Sequence, residues 1–216
     1  MMTHDGHMAL DLTPVPLRIS PTRRLPHLFA GLALYGASMG LQIEAALGLS
    51  PWDVLHEALH LRTGLSFGAN TAITAAAVLL SWLPLRQRPG VGTLANVAVI
   101  AVTVDLTLAV LPTPGALVPR IALLIAGIVL NGAATAAYIG ARLGPGPRDG
   151  LMTGIAARTG FPIRWVRTAI EVTVLATGWL LGGTAGIGTA LYALAIGPLT
   201  QAFLPWLSWR PRSVPA

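Results

Sequence analysis

The chain has no cysteine and no lysine, and only 10% of its 216 residues are charged. Without cysteine there is neither a disulfide framework nor a thiolate metal site, and the redox compartment is left open. Without lysine, all fourteen basic residues are arginine. The net charge of +6 would point to nucleic acid only if those arginines shared a solvated face with stacking aromatics. Aromatics make up just 6% of the chain and the arginines fall between apolar stretches, so nucleic acid is excluded as a partner. Residues 1–24 lack the apolar core of a cleavable signal and read as a short flexible cytoplasmic tail.

Apolar side chains are what the sequence has in excess. At 54% hydrophobic and a mean hydropathy of +0.68, the chain carries more apolar surface than a soluble domain of its size can bury. The lipid bilayer is therefore its expected solvent. Six stretches, at about 28–47, 66–84, 91–111, 121–141, 165–182 and 187–205, are long enough to cross roughly 30 Å of hydrocarbon as helices. With the N-terminus inside, twelve arginines lie on the cytoplasmic side and only Arg62 and Arg120 fall outside. That asymmetry predicts a multi-pass protein with both termini cytoplasmic, residues 209–216 forming the C-terminal tail.

The chain also repeats itself. Shifted by 96, residues 31–64 align without gaps on 127–160, with fourteen of 34 positions identical. Roughly three identities are expected from so biased a composition. The duplication continues through "GVGT" at 90–93 and "GIGT" at 186–189. Each copy, 25–112 and 113–208, holds three candidate spans, and an odd number forces the second copy to enter the membrane in the opposite sense. The expected fold is an all-α membrane protein of two inverted three-helix repeats, each with a short amphipathic helix after its first span.

One stretch, "SPWDVLHEALHLRTG" at 50–64, contains His56-Glu57-x-x-His60, the spacing by which zinc metalloproteases hold their metal. The second copy retains Pro147, Asp149 and Arg158-Thr159-Gly160, matching Pro51, Asp53 and Arg62-Thr63-Gly64. It places Met152, Thr153 and Ala156 where the motif residues stand. The repeated features are thus Pro-x-Asp and Arg-Thr-Gly, and a third protein ligand for zinc is not evident. We expect no metal, no cofactor and no catalytic residues, hence no enzyme. Ser50 or Gly146 as N-cap, proline at the first helical position and aspartate at the third start a helix of about 12 residues in each copy. Asp53, His56, Glu57 and His60 share one face of the first. Two placements follow: the helix lies in the bilayer interface with aspartate only capping it, or both short helices tuck inward so that Asp53 and Asp149 line a central cavity.

Within the candidate spans lie Glu44, Asp105 and Glu171. Acids there cost about 2.5–3.5 kcal/mol on insertion scales and are usually paired or face a cavity. Arg167 precedes Glu171 by four residues and can pair with it. Glu44 and Asp105 have no such partner. They, with Asp53, Asp149, His56 and His60, are the candidates for substrate binding or ion coupling, the alternative for the two acids being hydrogen bonds to neighbours such as Asn70, Asn96 or each other. Gly36-x-x-x-Gly40 and Gly132-x-x-x-Ala136 offer small faces for helix packing. "GPGPRDG" at 144–150 lacks the Gly-Lys-Ser/Thr ending of a phosphate loop, and Gly197-Pro198 predicts a kink in the last span.

The segment "LGLSPWDVLHEALHLRTGLSFG" followed by "GVGT", and its repeat "LGPGPRDGLMTGIAARTG" followed by "GIGT", resemble the YczE/YitT-type integral membrane proteins over about residues 28–205. The resemblance implies a multi-spanning protein of the bacterial plasma membrane and carries no substrate or catalytic residues with it. The paired repeat suggests secondary transport of a small solute. An accessory protein supporting a biosynthetic or export system, and a substrate-capture subunit of an importer, are the competing expectations, and a second copy of the chain stays open as a partner.

Overall fold

Residues 12–209 are described by a computed structural model, in which eight helices follow one another with no strand among the described residues. They are α1 (Pro21–Ala45), α2 (Pro51–Thr63), α3 (Phe67–Leu85), α4 (Val91–Val110), α5 (Leu117–Gly140), α6 (Pro147–Thr159), α7 (Ile163–Leu180) and α8 (Ile187–Leu207). Each helix of the second four starts 96 residues after its counterpart in the first. The sequence duplication is therefore also a duplication of helices. His4, His7, Arg210 and Arg212, with the ends of both expected tails, lie outside the described residues. The described part of the N-terminal segment is not free: Val15 donates its amide to the carbonyl of Arg142 at 2.9 Å, and Arg142 Nε donates to the carbonyl of Thr13 at 2.8 Å.

Local chemistry sets the short helices. Ser50 Oγ accepts the amide of Asp53 at 3.3 Å, with Pro51 in the first turn where a missing N–H is no loss. At the other end, Gly64 and Gly160 close α2 and α6 in the left-handed region, with φ of 70° and 73°. Thr63 and Thr159 each donate to the carbonyl four residues back, at 2.8 and 2.9 Å. The repeated Arg-Thr-Gly is thus a helix ending.

At the centre, α1 and α5 run antiparallel. Gly31, early in α1, faces Tyr138 late in α5, while Gly127, early in α5, faces Ser38 and Gln42 late in α1. The small-residue faces pack outward from this pair, Gly36 and Gly40 against α4 and Gly132 against Leu199 of α8. Other contacts cross between the halves, α2 packing on α7 and α3 on α6. The largest difference between the halves lies at their last two helices. α3 packs on α4, whereas no comparable packing joins α7 to α8.

Four helices, α3, α4, α5 and α8, are long and apolar enough to cross a membrane. α1 and α7 have the length, 25 and 18 residues, but are less apolar, holding Gln42 and Glu44 in the one and Arg164, Arg167 and Glu171 in the other. Leu83, Val110, Val118, Leu194 and Trp206 all lie exposed on the outer surface, a pattern suited to hydrocarbon. The expected break at Gly197-Pro198 is accommodated within α8, which continues through Pro198 to Leu207.

Candidate functional site

The site is built by the linkers that precede the short helices. Helix α1 stops at Ala46, in the left-handed region at φ 48°, leaving residues 46–50 before α2. A first span ending at residue 47 would leave only two or three residues before α2. The earlier stop provides a longer linker, and Gly48, Leu49 and Ser50 are buried in the protein rather than at its surface. Buried irregular backbone must find partners, and the other half supplies them. Leu47 O accepts the amide of Gly188 at 2.8 Å, and Leu143 O accepts that of Gly92 at 2.9 Å. These donors belong to the repeated Gly-x-Gly-Thr. Its threonine turns back on its own helix start, Thr93 Oγ1 accepting from Gly90 N and Thr189 Oγ1 from Gly186 N, both at 3.1 Å. Its first glycine leaves no room for a Cβ, which would sit 2.6 Å from the linker carbonyl in either copy.

Both short helices therefore begin inside the molecule and point at each other. Ser50 and Gly146, the two N-caps, line one cavity of about 250 Å³. Of the two capping aspartates, Asp149 lines this cavity. Trp52 and Arg148, the variable residues of the two Pro-x-Asp motifs, occupy the same position in the repeat and meet: the guanidinium lies over the indole, 4.7 Å from its centroid. Arg148 Nη2 also lies 4.0 Å from Asp53 Oδ1.

Asp53 is buried, with Ser50 donating its hydroxyl to Oδ2 at 2.6 Å and His56 Nδ1 3.1 Å from Oδ1. Burial alone raises the Asp53 carboxyl, but the His56 hydrogen bond, the Arg148 charge and the Ser50 hydroxyl outweigh it and hold the group below its ordinary value. Burial pushes His56 below its ordinary value and Arg148 adds to that, against the opposing pull of Asp53. The pair is therefore a neutral imidazole donating to a carboxylate. Asp149, in the second copy, accepts the Tyr138 hydroxyl at 2.7 Å. Tyr35 packs edge-on against Tyr138 with centroids 6.0 Å apart, and Tyr192 donates to Asn131 at 3.0 Å.

The three residues of the zinc-like motif go separate ways. His56 turns inward to Asp53, Glu57 accepts the amide of Thr184, and exposed His60 pairs through Nδ1 with the carbonyl of Leu65 at 2.6 Å. Among the described residues, no three His, Asp or Glu side chains converge as a ligand group.

Of the six candidates, Asp149 and His56 line the cavity and Asp53 lies behind its wall, 3.1 Å from His56, while His60, Glu44 and Asp105 stand elsewhere. Glu44 accepts the hydroxyl of Thr113 near the end of α1. Asp105 holds the start of α3, accepting from Ser66 Oγ at 2.6 Å and Gly68 N at 2.7 Å. A carboxylate placed there complements the positive end of the helix, so its partners are not Asn70 or Asn96. Glu171 pairs with Arg167 at 2.9 Å, and both line the cavity. Sequence reasoning missed Arg148, Trp52 and the tyrosines. The repeat offered a signal for the first two, because Trp52 and Arg148 occupy equivalent positions in its two copies.

A family model described as "Family of unknown function (DUF6198)" matches residues 22–205. The chain is 42% identical over 177 residues to an uncharacterized protein of Haemophilus influenzae, covering 82% of this chain and 81% of the relative. It is 37% identical to the uncharacterized membrane protein YczE of Bacillus subtilis, covering 82% and 83%. To YyaS, an uncharacterized protein of the same bacterium, it is 26% identical, covering 84% and 93%. No solved structure matches.

Proposed function

The chain belongs to the DUF6198 family, and from that premise we propose that it is an integral protein of the bacterial cytoplasmic membrane that moves a small solute by secondary transport. Six long helices cross the bilayer as two inverted halves, and the two short helices enter it from opposite faces. The observation that carries this reading is the meeting of their N-termini, where Arg148 of one half lies 4.0 Å from Asp53 of the other. Half-helices that meet at the boundary of inverted repeats form the binding sites of many transporters.

The mismatch between the halves supplies the motion. Alternating access needs one half closed while its counterpart is open. Here α3 is shut against α4, while Arg167 and Glu171 of α7 and Thr200 and Gln201 of α8 border the cavity across a gap. By the arginine distribution that gap faces the cytoplasm. Exchanging the two arrangements would close this side and open the other, with the site between them fixed.

The test is flux. Purified protein is reconstituted alone into liposomes loaded with isotope-labelled bacterial extract, and solute loss is followed by mass spectrometry. We expect protein-dependent loss of one small polar solute class. Retention of every component, with folded protein in the liposomes, would leave an accessory role as the better reading.

A further inference from the structure

The cavity contains hydrogen-bond donors that the protein itself does not use. Trp52 is 6% exposed and lines the cavity, yet its Nε1–H has no acceptor. An indole nitrogen only donates, so this group calls for an acceptor from outside the chain. Thr74 lines the same cavity from α3, and its buried hydroxyl is also without a partner. Arg148 stacks on that indole, and its nearest carboxylate, at 4.0 Å, is beyond hydrogen-bond reach. Trp52 and Arg148 stand in the first turns of α2 and α6, where the helix ends add positive potential, and Thr74 approaches from α3. Together they form a pole suited to a carboxylate.

A second pole lies in the same cavity. Asp149 receives one hydroxyl, from Tyr138, and borders the cavity with its charge otherwise unmatched, since Arg167 is held by Glu171. Among the side chains that line the cavity, Arg148 and Arg167 balance Asp149 and Glu171, with Asp53 behind the wall 4.0 Å from Arg148. A ligand with net charge would upset that balance in a poorly solvated space, whereas one carrying both signs would not. Ile100, Ile139, Val97 and Ile196 complete the wall and suit an apolar side chain.

Building on the transport reading, we infer that the cavity binds a small zwitterion of the amino-acid class. Its carboxylate rests against Trp52, Thr74 and Arg148, and its ammonium group against Asp149 and Tyr138.

Binding is tested apart from transport, on the full chain in detergent. Thermal stabilisation is screened with each uncharged-side-chain L-amino acid. The best binder is then compared by calorimetry with its deaminated and decarboxylated analogues and with inorganic phosphate. We expect at least one amino acid to bind and both analogues to bind at least about tenfold more weakly. Trp52→Phe should weaken the amino acid and its deaminated analogue by about tenfold while sparing the decarboxylated one; Asp149→Asn should do the reverse. Thr74→Val gives a milder version of the first pattern should Trp52→Phe fold poorly. No stabilisation by any amino acid, equal binding of an analogue or of phosphate, or variants without this opposed pattern would overturn the inference. Amino-acid binding without flux would sink transport and leave the inference standing; flux of another solute without amino-acid binding would do the opposite.

Discussion

The guanidinium of Arg24 donates from Nε to the backbone carbonyl of Ala141 at 2.9 Å, tying the start of α1 to the end of α5. Arg120, 96 residues later, donates in the same way to Ala45 at 2.8 Å. Each arginine thus caps the C-terminal carbonyls of the opposite half's first helix, where a cation complements the dipole. Antiparallel α1 and α5 are clamped at both ends.

The two clamps are unequal. Arg24 is buried and also donates to Arg142, Val15, Pro16 and Ile19, whereas Arg120 is partly exposed. Arg24→Gln should cost about 3 kcal/mol by stranding buried carbonyls. Arg120→Gln should cost roughly 1 kcal/mol. Thermal melts of both variants in one detergent give the order, and an equal loss would contradict it.

Trp82 and Gly150 form a matched pair. The indole donates to the carbonyl of Pro147 at 3.0 Å, and a Cβ on Gly150 would come within 2.0 Å of the ring. At the equivalent contact the sizes are exchanged, Gly178 giving way to Val54. Gly150→Ala should destabilise by roughly 2 kcal/mol through overpacking. Adding Trp82→Ala should cost less than the two single losses together, and strict additivity in a double-mutant cycle would exclude the coupling.

The buried His56 imposes a pH dependence of definite sign. Its folded-state pKa lies below the ordinary 6.5, so under acid the unfolded chain takes up a proton that the folded chain refuses. Stability should be full above that value and fall as pH drops beneath it, by up to about 1.4 kcal/mol at one unit below. Asp53, also lowered, loses its contribution only below 3.8 and leaves this window unaffected. His56→Asn should flatten the slope between pH 7.5 and 5.5. A slope unchanged in the variant would assign it elsewhere.

A chain without cysteine is ready for single-cysteine labelling. Leu65 and Phe161, exposed in the turns that follow α2 and α6, are equivalent positions of the two halves. With impermeant maleimide on whole cells, Leu65→Cys should react and Phe161→Cys should react only after lysis. Labelling of both from one face would refute the inverted arrangement.

The same method tests the proposed rocking motion. Thr200 borders the cavity, while its counterpart Val104 is fully buried. Thr200→Cys should label from the cytoplasmic face at rest. Val104→Cys should remain protected until solute is supplied, then label from outside; protection throughout turnover would sink alternating access.

The sequence alone determined the apolar class, the eight helical segments and the repeat, because hydropathy, Pro-x-Asp starts and Arg-Thr-Gly endings are local and each copy states them independently. It also determined the Arg167–Glu171 pair, which spans one turn of one helix. What remained for the tertiary structure was the direction of the linkers. Whether residues 46–50 lie along an interface or fold inward depends on the carbonyl of Leu47 finding the amide of Gly188, far away in the chain. The same long-range pairing drew Asp53 and Arg148 together, while Asp105 turned to the start of α3 and Glu44 to Thr113. Side chains with several partners within reach are assigned by packing, and packing is a property of both halves at once.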